Sequence, residues 1–169
     1  MTYVKMKFLH PVIRRENFKK LFPRRYEQAV HEKLITTGIR YFKVFGDFKG
    51  EYCAAKSTEV ITSKRNGTLK MILPILNSSV VFFFLKEAYG GMAMGGGITF
   101  SPNNLGNIPI PEINEKAKEN LELMADKYIN GFEDCNQDEL DAYIYTLYNL
   151  TEKDIVVIED FKKNNKRKR

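Results

Sequence analysis

The sequence predicts an α+β fold, in which a small antiparallel or mixed sheet with packed helices precedes a C-terminal helical module. Two patterns lead to this prediction. Between residues 33 and 63, runs of β-branched and aromatic residues are separated by glycines and turn residues, which is typical of short strands. After Pro111, apolar residues recur at spacings of three and four, which is typical of amphipathic helices.

Charge divides the chain at the same place. Residues 1–110 hold 17 Lys and Arg against 7 Asp and Glu, whereas residues 111–161 hold 4 against 14. Residues 162–169 add six basic residues and no acidic one. We therefore predict a basic α/β domain over 1–110, an acidic helical spacer or packing module over 111–161 and a disordered basic tail over 162–169. A positive surface suits a polyanion, which an acidic surface would repel.

Composition limits the class of protein. With 169 residues, of which 43% are hydrophobic, the chain is long enough to bury a core. The longest apolar run, residues 80–85, is far shorter than the roughly 20 residues of a membrane span, and residues 1–7 lack the apolar core of a signal peptide. Cys53 and Cys135 have no CxxC partner. We expect a soluble protein of the reducing cytoplasm, without membrane contact or a metal site.

The first thirty residues contain three basic pairs with apolar residues between them. Pro11 and Pro23 limit any helix here to a short segment, about residues 14–21. The pairs are either a solvated surface or a set of phosphate contacts, which need only charge and reach. The pairs are Arg14 and Arg15, Lys19 and Lys20, and Arg24 and Arg25.

Residues 33–63 are interpreted as an antiparallel sheet. The predicted strands are residues 34–37, 41–45 and 58–62, with a turn at 47–50 and a possible return strand at 51–55. Asn66-Gly67 is a strong turn signal. Five basic side chains would project from the sheet or its turns: Arg40, Lys43, Lys49, Lys64 and Arg65.

The centre of the chain runs from an apolar helix to a glycine-rich loop. Residues 69–76 predict a helix that Pro74 kinks or divides, and Asn77 or Ser78 is a good N-cap for a buried helix over 80–88. The following loop lacks both the Lys-Ser/Thr of a P-loop and a GxGxxG between a strand and a helix, so it is a weak nucleotide site. We interpret it as a flexible loop beside a groove, carrying Met92, Met94, Gly95 and Gly96.

The acidic part predicts three helices. The first begins with Pro111 at an N1-like position and ends near Gly131. Its apolar stripe consists of Ile113, Ala117, Leu121, Met124 and Tyr128. The second covers about residues 138–148, and a capping box of Thr151 and Asp154 starts the third.

No catalytic constellation is apparent. His10 and His31 lack metal-ligand spacing, and no Asn/Asp-Pro-Pro-Tyr/Phe sequence for amino-methyl transfer is present. Asp47 with Glu51, or Glu159 with Lys162, can be arranged as a nuclease-like set of carboxylates and lysine. One alternative is therefore a small metal-dependent nuclease, and a second is an interaction protein that self-associates through its acidic helices.

Three phrases in order give the chain a recognisable pattern. They are LPILNSS at residues 73–79, ITFSPNNLGNIPIP at 98–111 and LDAYIYTLYNLTEKDIVVIE at 140–159. With them, residues 30–161 resemble the TaqI-like C-terminal specificity domain, or target recognition domain, of restriction–modification N6-adenine DNA methyltransferases and type IIG enzymes. Asn149 stands where the family usually has glycine, and asparagine also tolerates the left-handed conformation.

The resemblance implies sequence-specific recognition of double-stranded DNA. The chain would not be catalytic alone, and an N6-adenine methyltransferase or endonuclease domain or subunit would perform methylation or cleavage. S-adenosylmethionine and Mg are expected in that partner, with no cofactor in this chain. Readout residues vary with the target, so no motif identifies them; the candidate base-contacting residues are Arg40, Lys43, Lys64, Arg65 and the loop at 92–97. Arginine reads guanine in the major groove.

Overall fold

The computed structural model describes residues 14–38, 42–54, 57–90, 100–130 and 136–166. In these ranges the chain forms eight helices and a three-stranded antiparallel sheet, which confirms the predicted α+β class. In chain order the elements are α1 (Arg15–Leu21), α2 (Pro23–Val30), β1 (Lys33–Thr37), β2 (Val44–Asp47), β3 (Thr58–Ile61), α3 (Thr68–Leu76), α4 (Ser79–Tyr89), α5 (Pro102–Gly106), α6 (Glu115–Asn130), α7 (Gln137–Leu147) and α8 (Glu152–Lys166).

The sheet has the strand order β2-β1-β3, and its register defines two ends. Lys33 pairs with Asp47 and Leu34 with Ile61, so the start of β1 lies beside the ends of β2 and β3. The opposite end of the sheet holds the end of β1 and the starts of the other two strands. Loops that leave the sheet at the same end lie near one another, so the register determines which loops can form one surface.

The return strand expected at residues 51–55 is not present in residues 51–54, which the structure describes. The backbone N–H groups of Glu51 and Tyr52 donate to the Asp47 carboxylate instead, each at 3.0 Å, so neither is available to a strand ladder. The second strand also begins later than predicted, at Val44.

Helices α3 and α4 form the centre of the molecule, where the sequence predicts a buried helix over 80–88. Pro74 lies within α3, and Ser78 caps α4 because its hydroxyl accepts from the backbone N–H of Val81 at 3.4 Å. Gly67 precedes α3 with φ of 77°, a conformation that favours glycine. The side chains buried in the two helices are Leu69, Leu73, Pro74, Ile75, Leu76, Val80, Val81 and Leu85.

The predicted start of the first acidic helix is wrong by four residues. Helix α6 begins at Glu115, because the Asn114 side chain accepts from the backbone N–H of Ala117 at 2.8 Å and so provides the N-cap. The apolar stripe is otherwise confirmed, with Ala117, Leu121 and Tyr128 buried. The predicted end at Gly131 lies outside the described residues.

The last two helices follow the sequence signals closely. Thr151 and Asp154 form the predicted capping box, in which each side chain accepts from the other's backbone N–H. Asn149 has φ of 51°, so asparagine adopts the left-handed turn. Helix α8, however, continues to Lys166, so residues 162–166 of the predicted disordered tail are helical.

One hydrophobic core joins the two predicted parts of the chain. Helix α3 contacts β1, β2 and α6, while α4 contacts α7 and α8. The buried cluster accordingly contains Leu73 and Val81 together with Leu121 and Ile144. Across the described part of the chain no single helix is long and apolar enough to cross a membrane; α3 and α4 pass that test only together, with a bend of 69° between them.

Candidate nucleic-acid interface

Helices α1 and α2, together with Arg14 directly before α1, are here called the basic helix pair and carry the six predicted phosphate-contacting residues. The pair contains no buried residue. All six basic side chains are exposed, as phosphate contact requires: Arg14, Arg15, Lys19, Lys20, Arg24 and Arg25.

Aromatic rings hold the two helices of this pair together. Phe18 lies 6.0 Å from the rings of both Phe22 and Tyr26, centroid to centroid. The Arg15 Nε donates to the Tyr26 hydroxyl at 3.0 Å, and the charged ends of Arg15 and Lys19 each lie 5.6 Å from the Tyr26 ring. Two of the six cations are thereby oriented by the same ring. The role of Tyr26 is not among the sequence predictions, although its spacing of four residues from Phe22 is typical of side chains that lie on one side of a helix.

A buried ion pair attaches the basic helix pair to the sheet. The Lys33 ammonium donates to the carbonyls of Ala29 at 2.7 Å and His31 at 3.2 Å, and it pairs with the Asp47 carboxylate. Lys33 is 0% and Asp47 2% exposed. One lysine therefore connects the end of α2, the start of β1 and the end of β2.

The Asp47 carboxylate is held ionised by its neighbours. Burial by itself raises the pKa of Asp47, but hydrogen bonds from Lys33 and from the backbone N–H groups of Glu51 and Tyr52 outweigh it and lower the pKa below its ordinary value of 3.8. Both oxygens accept hydrogen bonds within the fold and the residue is 2% exposed, so the carboxylate is not presented to solvent as a nuclease-like metal ligand would be.

The segment after β2 packs closely against the basic helix pair. Gly50 has φ of 66°, and a Cβ there would lie 2.2 Å from the carbonyl oxygen of Val30, at the end of α2. The Arg25 guanidinium donates to the carbonyl of Ala54 at 3.0 Å. The pair thus has a defined position on the sheet although it contributes nothing to the core.

The sheet divides the other predicted DNA-binding residues. Lys64 and Arg65 are exposed and follow β3, at the end of the sheet where Lys33 starts β1 and the basic helix pair is attached. Lys43 precedes β2 at the opposite end of the sheet. The two ends are roughly 13 Å apart, which is the length of a strand of four residues. Five predicted residues lie outside the described residues, namely Arg40, Met92, Met94, Gly95 and Gly96.

The comparisons with known proteins give no family. Neither a family model nor a curated protein matches the chain. The resemblance to a target recognition domain therefore stays a prediction. The structure shows which contacts the residues of the three phrases make within the fold.

The first phrase joins the helical centre to the sheet. The Asn77 side-chain amide accepts from the backbone N–H of Val44 at 3.0 Å and donates to its carbonyl at 2.9 Å. The Asn77 side chain thereby makes the same pair of hydrogen bonds to the backbone of edge strand β2 that a residue of a neighbouring strand would make. Its amide group also donates to the carbonyl of Leu73 at 3.2 Å.

The first and third phrases meet at the N-terminus of α4. Asp141 of α7 is 1% exposed, and its oxygens accept from the backbone N–H and the hydroxyl of Ser79, each at 2.7 Å. Gln137 donates to the same carboxylate at 3.1 Å, and Lys162 of α8 does so at 2.8 Å. A carboxylate at this position is favoured by the positive end of the helix dipole. Sequence reasoning identified both phrases but not this connection.

Lys162, which the sequence assigns to a nuclease-like set or a disordered tail, is the cation of this network. Burial alone lowers the pKa of Lys162, but hydrogen bonds to Asp138 and Asp141 outweigh it and raise the pKa above its ordinary value. The Glu159 carboxylate lies 3.4 Å from the ammonium and accepts from the Tyr145 hydroxyl at 2.8 Å. These contacts occupy Glu159 and Lys162 within the fold.

The second phrase connects the sheet to the third phrase. Phe100 is 0% exposed and its ring lies 5.0 Å from that of Phe42. The Tyr148 hydroxyl donates to the carbonyl of Pro109 at 2.6 Å, and burial raises the pKa of Tyr148 to about 12, so this donor keeps its proton at neutral pH. All three phrases therefore have structural roles.

Metal-ligating groups are sparse where the structure describes the chain: no cluster there has three or more His, Cys, Asp or Glu side chains placed to hold an ion. The expectation of no metal in this chain stays a prediction.

Proposed function

We propose that the chain recognises a specific sequence in double-stranded DNA, as the specificity domain of a restriction–modification system. A separate catalytic domain or chain, which would bind S-adenosylmethionine and Mg, performs methylation or cleavage. The observation that carries the DNA-binding part is the basic helix pair, with six exposed cations, no buried residue and a fixed position on the sheet. Its assignment to restriction–modification rests on the three phrases of the sequence.

In this proposal the basic helix pair contacts phosphates, while Lys64 and Arg65, at the same end of the sheet, read bases. Phosphate contacts fix the position of a protein on a duplex and carry no sequence information, whereas arginine at a base edge does. The acidic helices would be repelled by DNA and are left to face the catalytic partner.

The phosphate contacts are tested with a triple variant, Arg14→Gln, Lys20→Gln and Arg24→Gln. In the described part of the chain these three side chains have no hydrogen bond or ion pair, so their replacement leaves the fold intact. We expect weaker binding to every duplex, and a slope of log K against log salt that falls by about 0.9 for each phosphate that the variant no longer neutralises. Titrations of labelled duplex at several salt concentrations measure both.

The matched control changes three exposed lysines of the acidic helices, Lys116→Gln, Lys127→Gln and Lys153→Gln, and so has the same change in net charge. If both variants lose affinity equally, net charge alone attracts DNA and the basic helix pair is not the contact surface.

Base reading is tested separately by selecting duplexes from a randomised pool with the wild type and with Lys64→Gln/Arg65→Gln. An unchanged selected sequence would remove these two residues from the reading role.

A further inference from the structure

The junction between α1 and α2 exposes two large apolar side chains. Leu21 is 63% and Phe22 51% exposed, although both lie in a chain with an extensive core. They end α1 and are followed at once by Pro23, the first residue of α2. The sequence LFP thus forms an apolar tip on a helix pair whose other exposed side chains are polar or charged.

Local contacts give this tip a defined shape. The Phe22 backbone N–H donates to the carbonyl of Phe18, and the Tyr26 N–H donates to the carbonyl of Phe22, each at 2.9 Å. The Phe22 ring also packs on Phe18. Proline at N1 restricts the backbone further. A tip that is already ordered loses little conformational entropy when it inserts into a ligand.

The charges beside the tip indicate what it contacts. Lys19 and Lys20 precede it and Arg24 and Arg25 follow it, all exposed. An apolar surface with cations on both sides complements a ligand that presents an apolar slot between two rows of negative charge. Duplex DNA has this form, because the stacked bases at the floor of a groove lie between two phosphate backbones.

We propose that Leu21 and Phe22 act as a wedge that enters the minor groove and partly separates one base step, while the flanking lysines and arginines hold the two backbones. This inference rests on the proposed function and adds a mode of recognition to it. A wedge favours steps that unstack easily, such as TA and CA/TG, so it selects sequence through deformability without a base-edge hydrogen bond. It also bends the duplex.

Insertion is measured directly with Phe22→Trp, since the chain contains no tryptophan of its own. The indole fluorescence of this variant is quenched when the ring stacks on bases. The control is Val157→Trp in α8, which replaces a residue that is 54% exposed and lies in the acidic part of the chain. We expect a duplex to quench the Phe22→Trp emission and to leave that of Val157→Trp unchanged.

Bending is measured with the double variant Leu21→Ala/Phe22→Ala on duplexes labelled at both ends for energy transfer. The wild type is expected to bend DNA, within the range of about 20–90° typical of wedge insertion. The double variant keeps all six cations, so it should retain the salt slope and lose the bend. Circular dichroism checks the helix pair, which should persist because Phe18 still packs on Tyr26 and neither replaced residue is buried.

The outcomes separate the wedge from the proposed function. Salt-dependent duplex binding without quenching or bending overturns the wedge and leaves DNA recognition standing. A wild type that does not bind duplexes at all overturns both. Emission of Phe22→Trp that shifts to the blue with vesicles of phosphatidylserine and phosphatidylcholine, but does not respond to DNA, also overturns the wedge and assigns the tip to an anionic membrane.

Discussion

At the scale of single residues, the molecule uses buried polar side chains as connectors. Asn77 bonds the backbone of β2, and Lys33 with Asp47 links the basic helix pair to the sheet. In the sequence, Asp47 is a candidate nuclease carboxylate, because a carboxylate that faces solvent cannot be distinguished there from one that faces a buried lysine. Its partner lies fourteen residues away and is determined by strand register, which no local pattern contains.

Replacing Asp47 by Asn should destabilise the protein by about 3–5 kcal/mol, because the Lys33 ammonium is left buried without a counter-charge. Urea unfolding at neutral pH measures this free energy. The control is the double variant Lys33→Met/Asp47→Asn, which removes both charges but keeps an amide oxygen to accept from the backbone N–H groups of Glu51 and Tyr52, and it should recover part of the stability. A single variant as stable as the wild type would show that the pair contributes no net stability.

The same pair gives a pH dependence. Because the folded-state pKa of Asp47 lies below 3.8, the carboxylate stabilises the fold fully above that pH, and this contribution is lost as pH falls through the folded-state value. The difference in unfolding free energy between wild type and Asp47→Asn should therefore shrink only below about pH 3.8. A difference that already declines between neutral pH and pH 5 would contradict the lowered pKa.

At the scale of elements, local signals predicted most helices and few of their connections. The capping box at Thr151 and the N-cap at Asn77 or Ser78 depend only on neighbouring residues, so the sequence alone predicts them, whereas the left-handed turn at Asn149 is implied by the resemblance. The start of α6 was misplaced because proline at N1 and asparagine at the N-cap are competing signals, and Asn114 provides the cap. The contact of Asp141 with Ser79 spans 62 residues, and local rules cannot predict it.

Asp141→Ala should destabilise the protein by about 2–3 kcal/mol, since it removes the carboxylate at the N-terminus of α4 and leaves the Ser79 and Lys162 groups less well satisfied. Thermal and urea unfolding measure the destabilisation. Asp138→Ala is the matched control, because this carboxylate also pairs with Lys162 but is 75% exposed, so its replacement should cost less than about 1 kcal/mol. Equal destabilisation of the two variants would mean that the interaction with α4 adds nothing.

At the scale of the whole molecule, the division near Pro111 is sharp in charge but not in packing. Helix α6 covers α3, and α7 and α8 contact α4, so the acidic helices bury the apolar centre of the basic part. The separation of charges along a sequence indicates which surfaces are basic and which are acidic. Whether a domain folds independently depends instead on whether it has a core of its own. The sequence therefore predicts the two kinds of surface more readily than it predicts separate folding units.

A fragment of residues 1–110 should not unfold cooperatively by itself, because Leu69, Leu73 and Val81 would lack the helices packed around them. Circular dichroism melting of this fragment, compared with the full chain, measures cooperativity. Mixing it with a fragment of residues 111–169 should restore the transition. Cooperative unfolding of residues 1–110 alone would confirm the domain boundary predicted from the charge pattern.

The absence of buried residues in α1 and α2 has a consequence for how the protein moves. Regions without core contacts can detach in local opening reactions that leave the rest of a fold intact. Here such an opening breaks the hydrogen bonds of Lys33 with Ala29 and of Arg25 with Ala54, and it separates Val30 from Gly50. Only the docked state has the six cations and the apolar tip arranged as one surface. A ligand that binds this surface therefore suppresses the opening. The apparent affinity of the protein for that ligand depends on the fraction of molecules in which the helices are docked.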